Sequence, residues 1–224
     1  EDDQLDANDY VMVSPVQELS TTEAFLSELD GNPTKFRADE RFSYCNGGYV
    51  VLALIAERVS GIGYHELVEE RVIAPAGLAD TAFLRSDEPS GRMALGYLHD
   101  DVLRTNVLHL PVRGNGDGGI YTTAGDMNLF WHAFMDGRIV PEEWVTEMTR
   151  PWSSDPGRKA RYGLGFWLAE SGPVVELVGS DAGVSFLSSH DPTSRTTWTI
   201  MSNTASGAWP MARHVQQAIG SDRP

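Results

Sequence analysis

Residues 42–61, FSYCNGGYVVLALIAERVSG, place Tyr44-Cys45-Asn46 directly ahead of a Gly-Gly pair and a strongly apolar run. Between Gly47 and Val59 the positions Val50, Val51, Leu54, Ile55 and Val59 recur at helical spacing, and Gly61 supplies the stop after Ser60. Leu52 and Ala53 fill the remaining sides, so this helix is apolar nearly all round and is expected to be central and buried. The polar triplet in front of it admits two readings. It is a lead-in turn in which Asn46 caps the helix, or it holds groups at the helix N-terminus for chemistry.

The 224 residues are 41% hydrophobic, enough to bury a substantial core in one large domain or two small ones. A net charge of -15 and a pI near 4.7 oppose binding to polyanions, so neither nucleic acid nor anionic lipid is an expected partner. No apolar run approaches the roughly 20 residues of a bilayer span. The single cysteine makes no internal disulfide and leaves the compartment open. The chain starts at Glu1 with neither an initiator Met nor a signal peptide, which suggests a piece of a longer protein.

Upstream of the opening stretch, residues 1–20 are acidic and without period, and are expected to form a surface arm. A short helix begins at Thr21 or Thr22 and runs to Leu29, stopped by Asp30-Gly31-Asn32-Pro33. Downstream, a second helix spans residues 64–73, and 81–84, 94–99 and 102–110 read as extended. Gly114-Asn115-Gly116-Asp117-Gly118-Gly119 formally matches the dinucleotide-binding Gly-x-Gly-x-x-Gly, but Ile120-Tyr121-Thr122 separate it from the next helix. A tight backbone turn is expected there, and no cofactor. Thr123 and Asp126 have N-cap spacing for a helix over 123–135, which sets Met127, Phe130, Trp131 and Phe134 on one core face. A further helix covers 141–148, opened by a proline and two glutamates.

From Tyr162 the period changes. Residues 163–168, 174–178, 184–188 and 196–202 are short apolar or alternating runs divided by turn-forming residues, which is the pattern of an antiparallel meander. A last helix over about 208–219 should lay Met211, Val215 and Ile219 against one face of that sheet. The fold class is therefore α/β, of the α+β kind. A mostly helical region over 1–160 precedes an antiparallel sheet and a closing C-terminal helix over 161–224.

Phe42-Ser43-Tyr44-Cys45-Asn46-Gly47-Gly48-Tyr49, followed by the apolar helix and Glu57-Arg58-Val59-Ser60-Gly61, resembles the second active-site motif, Tyr-x-Asn, of the serine beta-lactamase-like family. That family includes class C beta-lactamases, D-alanyl-D-alanine carboxypeptidases and related esterases. Three more segments resemble it in the same order: residues 73–81 (IAPAGLADT), residues 118–123 (GGIYTT) and Tyr162-Gly163-Leu164-Gly165. The similarity runs from about Asp30 to Asn203. It implies a beta-lactamase/transpeptidase-like fold, here an incomplete domain over 1–224 without its N-terminal strands and nucleophile helix.

The resemblance also implies a chemistry. A Ser-x-x-Lys serine attacks a carbonyl and forms an acyl-enzyme that water later releases, and its hydroxyl needs a neighbour to take its proton. Tyr44 would be that base or proton shuttle, its phenol lowered from about 10 by the lysine's charge. Asn46 would orient the lysine and bond the substrate's amide or ester. Cys45 fills the variable middle place and is expected to be a packed small residue, because no His stands near it in sequence to generate a thiolate.

Two features depart from the family pattern. The only lysines are Lys35 and Lys159, preceded at three residues by Asn32 and Pro156, so the chain holds no Ser-x-x-Lys. The nucleophile segment is expected upstream, as a missing part of the same protein. The third motif, Lys-Thr-Gly or His-x-Gly, falls on Ser180-Asp181-Ala182 when aligned through Gly183 and Leu187-Ser188-Ser189. These are the expected substrate-binding residues, but a serine replaces the cation and Asp181 adds a negative charge. Capture of a free carboxylate should weaken, since charge-assisted hydrogen bonds are about twice as strong as neutral ones. Ser180-Asp181 is equally a plain hairpin turn.

The six histidines show no metal-ligand spacing, so no metal is expected, and His190 reads as a turn residue before Asp191-Pro192. Trp152, Trp167, Trp198 and Trp209 are expected in the core or in a cleft wall. Two functions remain: a serine hydrolase acting on a small-molecule or peptide ester or amide, active only with its missing N-terminal segment, or a non-catalytic relative that binds a peptide or glycan. Either is expected as a soluble bacterial protein, cytoplasmic or secreted.

Overall fold

The computed structural model describes residues 12, 14–31, 33–88, 90–99, 101–155 and 157–221. A 3-10 turn over Thr22–Phe25 runs into α1 (Leu26–Leu29), followed by α2 (Asn46–Ser60) and α3 (Tyr64–Val68). A π turn over Glu69–Ile73 joins α3 to α4 (Ala74–Ala76); α5 (Ala124–Met135) and α6 (Glu142–Met148) complete the helical part. The sheet is β1 (Ser153–Asp155), β2 (Ala160–Tyr162), β3 (Trp167–Leu168), β4 (Val175–Asp181), β5 (Val184–Asp191) and β6 (Thr196–Ser202), and α7 (Ala208–Ser221) closes it. Each strand pairs antiparallel with its sequence neighbour. The expected meander is therefore present, with β1 and β2 added ahead of it. Among the described residues no helix is long and apolar enough to cross a membrane.

The main core forms where α5 and α6 meet the sheet, from Trp131, Phe134, Val145, Phe166, Leu168 and Val175. Trp131 is fully buried, and its Nε1 donates to Ser188 Oγ at 2.8 Å, so the one polar atom of that indole is satisfied inside the core. α5 is fixed at its start as the sequence suggests, with Thr123 Oγ1 accepting from the Asp126 amide. Asp126 is itself buried and accepts from Thr81 Oγ1 at 2.7 Å and from the Asp80 amide at 2.8 Å. A second cluster joins Leu19, Phe25 and Val50. Leu19 has no exposed surface and the Val112 amide donates to the Val16 carbonyl, so residues 14–20 are packed against the body and are not a surface arm. The acidic residues 1–11 of that expectation lie outside the described residues.

α2 departs most from expectation. It ends as anticipated, with Gly61 in the left-handed region at φ 72°, where a side chain would be strained. Only Val50, Ala53 and Leu54 are buried, however; Val51, Leu52, Ile55 and Val59 are exposed, Val59 by 83%. The helix is packed along one stripe and bare along the other. α7 also turns differently: Met211 faces solvent and the small Ala208 and Ala212 meet the sheet, with the Ala208 amide donating to Ser185 Oγ. Residues 163–168 form a strand only at Trp167–Leu168, because the Gly163 amide closes a turn onto the Phe166 carbonyl. His190 is no turn residue. It is buried in β5, stacked on Trp131 and bonded through Nδ1 to Thr197 Oγ1 at 2.7 Å.

Candidate active site

The Tyr44-Cys45-Asn46 triplet stands at the N-terminus of α2. Cys45 is the cap residue, with extended backbone and no capping bond from its side chain, and Asn46 is the first helical residue; the cap expected at Asn46 falls one place earlier. Cys45 is exposed, not packed. Tyr44 is 38% exposed, and one face of its ring stacks on Trp167 with centroids 5.9 Å apart and planes 22° off parallel. Phe42 and Tyr162 both meet the same indole edge-on, at 5.9 and 4.8 Å. Successive strand residues alternate sides, and Phe166 and Leu168 enter the main core, so Trp167 is directed to the opposite side of β3, where Tyr44 stands.

Two further groups build this cluster. Tyr49, one turn into α2, brings its hydroxyl to 2.7 Å from that of Tyr162. Burial first, then the Tyr49 hydrogen bond and the nearby phenols, push the Tyr162 hydroxyl far above the usual phenol range, so it keeps its proton. The Arg158 guanidinium lies over the Trp167 ring, 4.8 Å from its centroid. The glycine-rich turn at 114–119 is the tight backbone turn expected, with the Asn115 amide donating to the Gly118 carbonyl. Gly116 presses directly on the Tyr49 carbonyl and on Ala53, leaving no room for a Cβ, and so locks that turn onto α2.

The proposed third motif lies at the C-terminal end of β4. Glu176 is the β4 residue opposite Trp167. Ser180 is four places further along β4, a rise of about 13 Å at the usual strand spacing. Ser180 and Asp181 are exposed strand residues paired with Ser185 and Val184; the turn itself is Ala182-Gly183. Asp181 Oδ1 accepts from the Ala182 amide, and Ala182 is fully enclosed, its carbonyl taking a bond from Asn106 Nδ2. The structure places Tyr44 and Asn46 at the start of α2, and Ser180-Asp181-Ala182 at the end of β4 and the turn that follows it. Phe42, Tyr49, Arg158, Tyr162 and Trp167 were not singled out as site residues by sequence reasoning, although Phe42 and Tyr49 lie in the segment that carries Tyr-x-Asn, Tyr162 opens the Tyr162-Gly163-Leu164-Gly165 segment, and Trp167 was expected in the core or a cleft wall.

An exposed phenol at a helix N-terminus is placed where the backbone amides and the helix dipole favour negative charge. Such a group is suited to taking a proton from a nucleophile brought beside it. Among the described residues no three His, Cys, Asp or Glu side chains gather as a metal site.

The Beta-lactamase family model matches residues 1–219, and the chain belongs to that family of serine hydrolases. It is similar to the penicillin-binding protein of Bacillus halodurans, with a TM-score of 0.85 and 32% identity, over 92% of this chain and 65% of that one. It is 31% identical over 140 residues to the D-aminopeptidase of Brucella anthropi, covering 62% of this chain and 26% of the relative. It is 28% identical over 169 residues to PbpX of Bacillus subtilis (strain 168), provisionally named a penicillin-binding protein, covering 75% of this chain and 41% of the relative. The chain therefore spans less than half the length of these two sequence relatives.

Proposed function

We propose that the protein is a serine hydrolase acting through an acyl-enzyme on an ester or amide, with Tyr44 as the proton acceptor and Asn46 as the group that orients the lysine and the substrate carbonyl. The nucleophile comes from a Ser-x-x-Lys segment outside these 224 residues. The serine oxygen adds to the substrate carbonyl as its proton passes to Tyr44. The leaving alcohol or amine departs with that proton, and water then displaces the acyl group. The observation that carries this reading is the placement of Tyr44 and Asn46 at the head of α2, with the Tyr44 ring braced by Trp167.

The bare side of α2 supports a completing segment. Val51, Leu52, Ile55 and Val59 form an exposed apolar stripe beside the triplet, and such stripes mark surfaces that another element covers. β6 supports it too, since among the described residues it has no strand on its outer side. Ser180 and Asp181 offer substrate a hydroxyl and a negative charge but no cation, which favours esters and amides over substrates held by a charged third motif.

The test is labelling of the full-length protein with a fluorophosphonate or penicillin probe, followed by mapping of the modified peptide. Label on a serine outside these residues, lost on Ser→Ala there and reduced roughly 10²–10⁴-fold in rate by Tyr44→Phe, is the expected result. A full-length reading frame without Ser-x-x-Lys, or a purified active species of only 24.6 kDa, would sink the proposal and leave a binding protein for peptides or glycans.

A further inference from the structure

We propose that Trp167 is a positioning residue for Tyr44: it holds the phenol ring by stacking and carries the Arg158 guanidinium on the same indole, so that a fixed positive charge stands one ring away from the phenol. This rests on the reading of Tyr44 as proton acceptor.

The two partners differ in how firmly they are held. Tyr44 belongs to the stretch leading into α2 and is 38% exposed, whereas Trp167 is 6% exposed and its backbone is paired on both sides, to Tyr162 and to Glu176. The indole is fixed by edge-on contacts from Tyr162 and Phe42, and Tyr162 is tied in turn to Tyr49 of α2 through the 2.7 Å hydroxyl pair. A ring stacked on such a platform is confined to fewer rotamers than a free phenol, which is what a group that must meet a nucleophile's proton requires.

The electrostatics point the same way. Among the described residues, the charged or titratable groups near the pair include Cys45 beside Tyr44, Arg158 and Asp155 from the β1–β2 hairpin, Tyr162 from β2, Tyr49 from α2 and Glu176 from β4. Tyr162 keeps its proton, while burial raises the Glu176 carboxyl against the opposing hydrogen bond from Ser189. Asp155 stands 3.9 Å from Arg158, at the outer limit of an ion pair, and offsets part of the guanidinium's field without removing it. Arg158 is permanently charged and rides on the indole by a cation–π contact. Its field favours the phenolate of Tyr44, and it supplies near Tyr44 a positive charge that Ser180 does not provide on β4.

The test is the pH profile of kcat and kcat/KM for the full-length protein on a chromogenic ester. Trp167→Ala should lower kcat at least about tenfold with KM little changed, and Trp167→Phe, which keeps a stacking face, should restore most of it. Arg158→Gln should move the acidic limb up by about half a pH unit at an unchanged plateau, with Arg158→Lys returning it part of the way. Arg158 is a surface residue, so its variants decide the electrostatic half even where Trp167→Ala fails to fold; in that case Trp167→Leu against Trp167→Phe decides the stacking half. If Tyr44→Phe abolishes turnover while the Trp167 and Arg158 variants keep the wild-type profile, the proposal is overturned and the hydrolase reading stands. If Tyr44→Phe itself retains full activity, both fall.

Discussion

The hydroxyls of Tyr49 and Tyr162 meet at 2.7 Å although 113 residues of chain separate them. This contact ties the first turn of α2 to the sheet at the point where β2 turns towards β3, and so fixes the helix end that carries Tyr44 and Asn46. Removing either oxygen should loosen that junction.

For the Tyr162→Phe variant, loss of one partly buried hydrogen bond should cost about 1 kcal/mol, read from urea unfolding at pH 7. The wild-type pair also has a pH signature. Because the Tyr162 phenol is raised in the fold, the unfolded chain loses its proton first, near pH 10. Stability from this group is full below pH 10 and is lost as pH climbs above it, so alkaline unfolding should shift to higher pH in Tyr162→Phe. Coincident alkaline transitions in the two proteins would contradict this.

Asp126 is expected to be the most sensitive polar residue of the helical part. Asp126→Ala would leave Thr81 Oγ1 and the Asp80 amide without their carboxylate, at a cost of about 2–3 kcal/mol. Thr81→Val should be milder, since it removes a donor and leaves the Asp80 bond in place. Chemical denaturation of both variants, compared at one temperature, checks the order.

Acid should act through β5. His190 is lowered by burial first, then by His132 and Arg195, against the opposing pull of Asp191. A histidine lowered in the fold stays neutral while the unfolded chain takes up a proton, so its contribution is complete above about pH 6.5 and is lost as pH falls below that value. Melting temperatures between pH 5 and 7.5 should therefore drop on the acid side, and the drop should shrink in His190→Gln. An equal slope in the variant would show that the sensitivity lies elsewhere.

On the exposed stripe of α2, Val59→Lys should change the stability of this chain by no more than about 0.5 kcal/mol, as for an ordinary surface position. In the full-length protein the same change should cost several times more, because there the stripe is proposed to be covered. Equal effects in the two would remove the support that α2 lends to a completing segment.

Much of this architecture was legible in the sequence because it is written in periods. The spacing of Val50, Val51, Leu54, Ile55 and Val59 drew α2, the Thr123–Asp126 cap drew the start of α5, and the alternation after Tyr162 drew the meander. Burial was less legible. An all-round apolar helix reads as buried, yet burial is set by what packs on each side, and Val51 and Ile55 meet nothing among the described residues that covers them. Leu19 failed in the opposite direction, an apolar residue in an acidic stretch that nonetheless reaches Phe25 and Val50. At the site, Tyr44 and Asn46 were visible through their short-range pattern. Trp167 was not, because its contact with Tyr44 depends on the register of a two-residue strand, which no local period encodes.

The outer margin of β6 has a consequence for how the chain behaves in solution. The sequence Thr-Thr-Trp-Thr-Ile-Met-Ser at 196–202 is strand-prone and carries no charge of its own, and among the described residues no strand covers its outer side, so that edge is a template for a neighbouring molecule. What holds copies apart is the net charge of -15, a long-range repulsion whose reach shrinks to about 10 Å at 0.1 M salt and about 3 Å at 1 M. Self-association of this chain should therefore rise with ionic strength, because concentrated salt removes the electrostatic barrier in front of a strand edge that favours pairing.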